Sequence, residues 1–386
     1  MKRFDFDALT ERRNTGSMKW DTLPADDIIP LWVADMDFRT APVVTEALRR
    51  RVDAGIFGYT DIPSSYYDAV CGWFSRRHGW YIDRGMMIVT SGVVPAISAV
   101  IKALTIPGDG VILQTPAYNC FFSSVRNNGC REYDNRLVRI SEGDGFSYEM
   151  DFENLENLAS DPRNKLLILC NPHNPTGRVW TRAELERVRD ICRRHRVTVV
   201  SDEIHCELTH PGFDYIPYAT VDDHAVVCGS PSKAFNIAGL QNAFIVSPTE
   251  EVRDKIDRAI NDNEVCDVNP FGVDAVTAAY EAGEEWLEAL RSYLDDNNRL
   301  LQTFIERRLP SWKMCLSEST YLAWVDITAT GIDGDRMERL LLERAKVKVS
   351  SGAIYGAPDF IRINYATPRA RLEEALERIA AISTHT

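Results

Sequence analysis

The chain has 386 residues, 45% of them apolar and 26% charged, enough to bury a large core spread over more than one domain. Its formal charge of −13 argues against nucleic acid or an anionic membrane as the principal partner, and no stretch has the apolar length that a bilayer demands. The nine cysteines are scattered, with no Cys-x-x-Cys pair, and suit reduced thiols; neither they nor the seven histidines show metal-ligand spacing.

The start, "MKRFDFDALTERRN", is charged throughout and has no apolar signal-peptide core, so a cytoplasmic protein is expected. "GVVPAISAVIKAL" (92–104) reads as a helix opening just after the strand-like "MMIVTSG". "GVILQTPAY" (110–118) reads as a strand running into a loop, and "KLLILCNP" (165–172) as a buried strand. "TRAELERVRDICRRHR" (181–196) is helical, with Thr181 and Glu184 at capping-box spacing. "VTVVSDE" (197–203), "AVVCGS" (225–230) and "NAFIVS" (242–247) are strands again. Apolar strands separated by helices imply βαβ units and a largely parallel sheet covered on both faces, an α/β fold. From about Val273 to Leu309 the pattern is one long helical stretch. After Pro310 short strands ("TYLAWVDI", "DFIRINY") alternate with helices ("GDRMERLLLERA", "ARLEEALERIAAI"), as in a smaller α+β domain. The boundary is expected near Glu284. No internal repeat or low-complexity segment interrupts this order.

Four places along these elements carry residues capable of chemistry. "TSGVVPA" (90–96) sets a glycine at a helix start, where free N–H groups can bind an anion, although many helices open this way and bind nothing. "CNPHNPTG" (170–177) is a proline-stiffened loop, either a plain turn or a frame that aims the Asn174 amide at a ligand. In "VTVVSDEIH" an apolar strand runs straight into Asp202, either a cap or a placed acid; His205, taken alone, reads as a structural histidine. In "CGSPSKAFNIAGLQ" Lys233 follows a buried strand and stands beside two serines, Ser230 and Ser232. A lone lysine is usually a solvated charge, but in a pocket at a strand end its amine can act as nucleophile or base. Together a phosphate cradle, an amide loop, an acid and a lysine make the kit for pyridoxal phosphate. Asp202 and Lys233 are 31 positions apart (233 − 202), room for one βαβ-sized excursion between neighbouring strands.

Through "NPHNPTG", "SDEIH" and "SPSKAFNIAGLQ" the chain resembles the fold type I pyridoxal-phosphate enzymes, the aspartate aminotransferase superfamily. "PLWVADMDF" (30–38), "GYT" (58–60), "SGVVPA", "TPAYNCF" (115–121) and "FIRINYATPR" (360–369) make it most similar to the cystathionine β-lyase and cysteine C–S lyase branch, the MalY/PatB type. The resemblance covers nearly the whole chain. It implies a mostly parallel seven-stranded sheet sandwiched by helices in a large cofactor domain (41–284). It also implies a small C-terminal domain (285–386) and an N-terminal segment (1–40) packed against that domain at the substrate entrance.

The resemblance further implies that Lys233 is the Schiff-base lysine, that Asp202 pairs with the pyridine nitrogen and that Asn174 donates to the phenolic oxygen. Tyr118 is implied to stack on the ring and assist proton transfer. Gly92, Val93 and Val94, with Ser230 and Ser232, are implied to hold the phosphate, and Tyr59 to reach the phosphate of the neighbouring subunit in a homodimer. Arg362 is implied to clamp the substrate carboxylate, with Trp32 and Ala34 lining the entrance. His205 stands where aminotransferases commonly carry a cofactor-contacting tyrosine. Gln241 stands eight positions after the lysine, where many aminotransferases have a phosphate-binding arginine; the lyase branch shares this loss. The expected reaction is β-elimination from L-cystathionine or another S-substituted L-cysteine, giving a thiol, pyruvate and ammonia. Transamination on the same cofactor is the alternative. A purely regulatory role on this fold would be supported by a fused DNA-binding segment, and none is apparent.

Overall fold

The structure is a computed structural model that describes residues 4–143, 145–265 and 267–383. Its centre is a seven-stranded sheet, ordered in space as Met87–Thr90, Ala243–Val246, Val226–Gly229, Thr198–Asp202, Asn164–Cys170, Gly110–Leu113 and Arg131–Asp134. All neighbours are parallel except at Ala243–Val246, which runs antiparallel to the strands on both sides.

Side-chain alternation explains why helices cover both faces. On the strand Ala243–Val246, Ala243 and Ile245 enter a core with Ile97 and Ile101 of the helix Val93–Leu104. Phe244 and Val246 point the other way, into a core with Trp73 and Phe74 of the helix Ser64–His78 and Val276 of the helix Pro270–Ala282. Further along the sheet, Ile112, Leu167 and Val199 meet Leu185 and Val188 of the helix Arg182–His195. Each large apolar side chain buried this way contributes about 1.5–3 kcal/mol. The two-residue period of a strand sends that stabilisation to both faces.

A second sheet of four antiparallel strands follows in space the order Lys313–Met314, Leu322–Asp326, Phe360–Asn364, Ser350–Ser351. On Phe360–Asn364 the core takes Ile361 and Ile363, so Arg362 and Asn364 lie on the opposite face. The N-terminal segment joins this part of the molecule: Ile29 and Pro30 pair in parallel with Val347 and Lys348.

Two sequence expectations need correction. The helical stretch 273–309 is two helices, Pro270–Ala282 and Glu284–Arg308, meeting at Gly283. A Cβ at Gly283 would stand 2.5 Å from the Ala279 carbonyl oxygen and 2.5 Å from the Phe235 ring, so only glycine admits this approach. The connection between Thr198–Asp202 and Val226–Gly229 contains no α-helix, only the short 3-10 turns Cys206–Leu208 and Tyr218–Thr220. Residues there are spent on a buried polar knot: Glu203 accepts from Tyr215 Oη, from Tyr218 N at 2.9 Å and from Ser201 Oγ at 2.8 Å.

Candidate active site

Parallel strands deliver their C-terminal ends to one edge of the sheet, where α/β proteins hold ligands. Thr90, Cys170, Asp202 and Gly229 all end there, and the loops beyond them enclose a cavity of ≈190 Å³. Gly92, Val93, Val94, Tyr118, Asn174, Asp202, His205, Ser232, Lys233 and Ala34 line it, all of them expected from the sequence.

Gly92 precedes the helix Val93–Leu104, whose start has no side-chain cap. Pro95 has no N–H, and Ala96 N already donates to the Gly92 carbonyl at 3.0 Å. The amides of Val93 and Val94 are therefore the helix donors left for a ligand. Nearby, Ser230 Oγ lies 2.7 Å from Ser232 Oγ and donates to the Asn242 carbonyl at 2.7 Å. Ser232 faces the cavity, whereas Ser230 stands behind it and is not part of the lining.

Asp202 closes its strand with Oδ1 accepting from Ile204 N at 3.1 Å, so it caps the loop and also faces the cavity. Burial raises its pKa to about 7, against the pull of that amide and of Lys233. His205 is buried, with Nδ1 lacking a partner. Burial, reinforced by the positive charges of Lys233 and Arg362, lowers its pKa to about 3, so the ring is neutral. Lys233 Nζ donates to the Ala34 carbonyl at 2.8 Å. Burial pulls the amine down to about 8, and the Arg362 guanidinium adds to this against Asp35, Asp202 and Cys120. Burial pushes the Tyr118 phenol up, with Cys120 beside it.

Asn174 sits in the proline-rich loop, where Gly177 adopts φ +75 and a Cβ would collide with Ser317 Oγ at 2.2 Å. Its Oδ1 accepts from Arg362 Nη1 at 3.3 Å. Arg362 is buried just outside the cavity lining, 4.7 Å over the Tyr355 ring, with Nη2 donating to the Trp32 carbonyl at 3.1 Å and Nε unpartnered. Its guanidinium thus keeps a buried Nε donor without a partner beside the cavity-lining Asn174. Trp32 is not among the residues lining the cavity; its indole Nε1 donates to the Lys19 carbonyl at 3.1 Å, and its own carbonyl is the atom that Arg362 binds.

Tyr59 is not brought to the cavity of its own chain; it is 98% exposed on a segment without regular structure. Gln241 is exposed, with φ 52 after the turn Ala238–Leu240, and takes no part in the lining. The sequence reading missed Tyr321, whose hydroxyl donates to the Ala34 carbonyl at 3.0 Å, and Ile204, which lines the cavity. Both look like ordinary core residues of strand segments. Only the fold shows what they face.

A profile of the aminotransferase class I and II family matches residues 26–379. The chain is 41% identical to the cystathionine beta-lyase PatB of Bacillus subtilis (strain 168), across 98% of this chain and 99% of that protein. Its structure is similar to that of cystalysin from Treponema denticola, which contains a pyridoxal 5'-phosphate cofactor (TM-score 0.95, 33% identity, 99% of both chains). It is also similar to the pyridoxal-phosphate-bound C–S lyase from Staphylococcus hominis (TM-score 0.91, 34% identity, 98% of both chains). The seven-stranded sheet with its smaller antiparallel partner is the fold type I architecture expected from the motifs, and the chain belongs to the aminotransferase class I and II family.

Proposed function

We propose that this protein is a pyridoxal-phosphate-dependent carbon–sulfur β-lyase acting on L-cystathionine or related S-substituted L-cysteines. The observation that carries the reading is one cavity lined by a half-buried lysine, a buried carboxylate and an uncapped helix start, in a chain 41% identical over its length to a cystathionine β-lyase.

The residues present fit the cofactor. Two helix amides and Ser232 suit its phosphate, Asp202 suits a protonated pyridine nitrogen, and Asn174 and the unpartnered His205 Nδ1 suit its polar ring substituents. When bound, pyridoxal phosphate supplies an electron sink for negative charge developing at the substrate Cα. Lys233 would anchor the cofactor, and its free amine would accept the substrate Cα proton; burial lowers its pKa to about 8, which leaves part of the amine unprotonated at neutral pH. Asp202 would favour a protonated ring nitrogen, and that positive charge would offset the burial that opposes the ionisation of its carboxylate. Arg362 takes the substrate carboxylate in a forked pair. Tyr118, which lines the cavity, would cover the ring and could pass a proton there. Loss of the β-thiolate leaves aminoacrylate, which hydrolyses to pyruvate and ammonia.

The active unit is a homodimer in which Tyr59 reaches the partner's phosphate site. Its nearly complete exposure in one chain supports this, as do the exposed neighbours Ile56 and Phe57. Residues 41–284 form the cofactor domain and 285–386 the small domain, with 1–40 at the entrance between them.

Purified protein reconstituted with pyridoxal phosphate should release thiol and pyruvate from L-cystathionine or from at least one member of a panel of S-substituted cysteines. Lys233→Ala should abolish both products. Failure of the wild type on every substrate would remove the lyase assignment. The family's name favours transamination as a second reading. Conversion of the cofactor to its amine form by alanine or an aromatic amino acid, without thiol release, would support it.

A further inference from the structure

The base and the carboxylate anchor of the proposed reaction stand on different parts of the fold: Lys233 on a loop of the large sheet, Arg362 on a strand of the small one. One short piece of chain, Trp32–Phe38, touches both. The Trp32 carbonyl accepts from Arg362 Nη2 at 3.1 Å, and the Ala34 carbonyl accepts from Lys233 Nζ at 2.8 Å. A tight bend centred on Ala34 is closed by Asp35 N donating to the Val33 carbonyl at 2.9 Å.

Two asparagine amides bind four further carbonyls of the strap, of which Asp35 also accepts from Lys19 Nζ at 3.3 Å and Met36 from Arg12 Nη1 at 3.1 Å. Asn364, two positions beyond Arg362 on the same strand face, donates from Nδ2 to the Val33 carbonyl at 2.5 Å and to the Asp35 carbonyl at 2.7 Å. Asn236, three positions beyond Lys233, donates from Nδ2 to the Met36 and Phe38 carbonyls, both at 2.9 Å, and accepts from Met36 N at 3.0 Å. One amide therefore ties the strap to the strand of Arg362, and the other ties it to the loop of Lys233.

We infer that Asn236 and Asn364 are a pair of positioning residues that set the distance between the Lys233 amine and the Arg362 fork through the Trp32–Phe38 strap. Neither faces the reacting atoms. Each holds a different part of the strap. Tyr321 Oη on the Ala34 carbonyl at 3.0 Å, Ser350 Oγ on the Trp32 carbonyl at 3.2 Å and Asp37 N on the Ala366 carbonyl at 2.9 Å are among its other ties, so loss of either amide loosens the carbonyls that Lys233 and Arg362 use without freeing them. The geometry makes two demands on the pair. Loss of one amide should weaken both proton removal and carboxylate binding. Loss of the second should add little, because residues acting through one shared element are not additive. A displacement of about 1 Å at such a site costs on the order of a hundredfold in rate.

This inference rests on the roles proposed above for Lys233 and Arg362, and its test is independent of carbon–sulfur cleavage. Exchange of the Cα proton of L-alanine in D2O, followed by proton NMR on the reconstituted holoenzyme, needs an anchor and a base but no leaving group. Asn364→Ala and Asn236→Gly, the latter keeping a residue at ease at φ 55, should each lower the saturating exchange rate by about tenfold or more. Each should also raise the half-saturating alanine concentration. The double variant should fall within about twofold of the worse single variant. If Asn364→Ala does not fold, Asn364→Ser, too short to span both carbonyls, takes its place. A residue holding only stability would lower the melting temperature and leave exchange per bound cofactor unchanged. Exchange within twofold of wild type in either variant, or losses that multiply in the double variant, would overturn the inference. Wild-type exchange without thiol release from any substrate would remove the lyase assignment and leave the inference standing.

Discussion

Lys233 and Asp202 share a cavity in which burial works against both of their charges. For Asp202 this sets a sign that can be measured on the cofactor-free protein. Its folded pKa is raised from 3.8 to about 7, so between those values the folded state holds a proton that the unfolded chain releases. The stability it contributes is complete below pH 3.8 and is lost as pH rises through 7. Asn cannot ionise and can still accept from Ile204 N. The melting temperature of Asp202→Asn relative to wild type should therefore be higher at pH 8 than at pH 4; the same difference at both pH values would contradict this. Arg362→Lys tests the anchor. A lysine cannot present the fork that already serves Asn174 and Trp32, so KM for the amino acid should rise roughly ten- to a hundredfold with a smaller effect on kcat. At this scale the motifs were informative where function demands a particular residue type: the lysine, the aspartate, the amide loop and the helix start all face one cavity. They marked Trp32 and Ala34 as residues at the substrate entrance but not the backbone atoms that do the work there. The carbonyls of Trp32 and Ala34 carry no signature in their side chains.

The elements obey local rules that the sequence displays openly in some places and hides in others. The helix Arg182–His195 starts where the capping box places it, with Glu184 N donating to Thr181 Oγ1 at 3.3 Å and Thr181 N donating to Glu184 Oε2 at 2.7 Å. Thr181→Ala should cost about 1 kcal/mol in a denaturant titration. Periodicity alone carried the helical pattern straight through Gly283, because the residues on both sides are good helix formers. What requires glycine at the junction is a tertiary contact, the Phe235 ring lying where a Cβ would stand. Gly283→Ala should destabilise the protein by about 1–3 kcal/mol through that overlap. Because Phe235 lies two residues beyond Lys233, the variant should also bind cofactor more weakly, as followed by cofactor absorbance. The helix-free excursion from Asp202 to Val226 was hidden for a related reason: its two 3-10 turns are held by the Glu203 knot, whose partners converge only in the fold.

For the whole molecule, the sheet order brings four strand ends to one edge, while the small sheet and the N-terminal strap close over that edge from the other side. The strand runs and their parallel character were legible because each strand is buried on both faces and reads as a continuous apolar segment. The antiparallel insertion of Ala243–Val246 was not, because its residues look the same in either direction. If the homodimer forms as proposed, Tyr59→Phe should leave the mass in solution unchanged and raise the dissociation constant for pyridoxal phosphate severalfold. An unchanged constant would place the tyrosine outside the cofactor site. The central claim, β-elimination at a carbon–sulfur bond, is tested most directly by product stoichiometry from L-cystathionine on the reconstituted enzyme. The account predicts thiol and pyruvate in equal amounts, with the cofactor returned unchanged after many turnovers. Accumulation of the cofactor's amine form with no free thiol would contradict it.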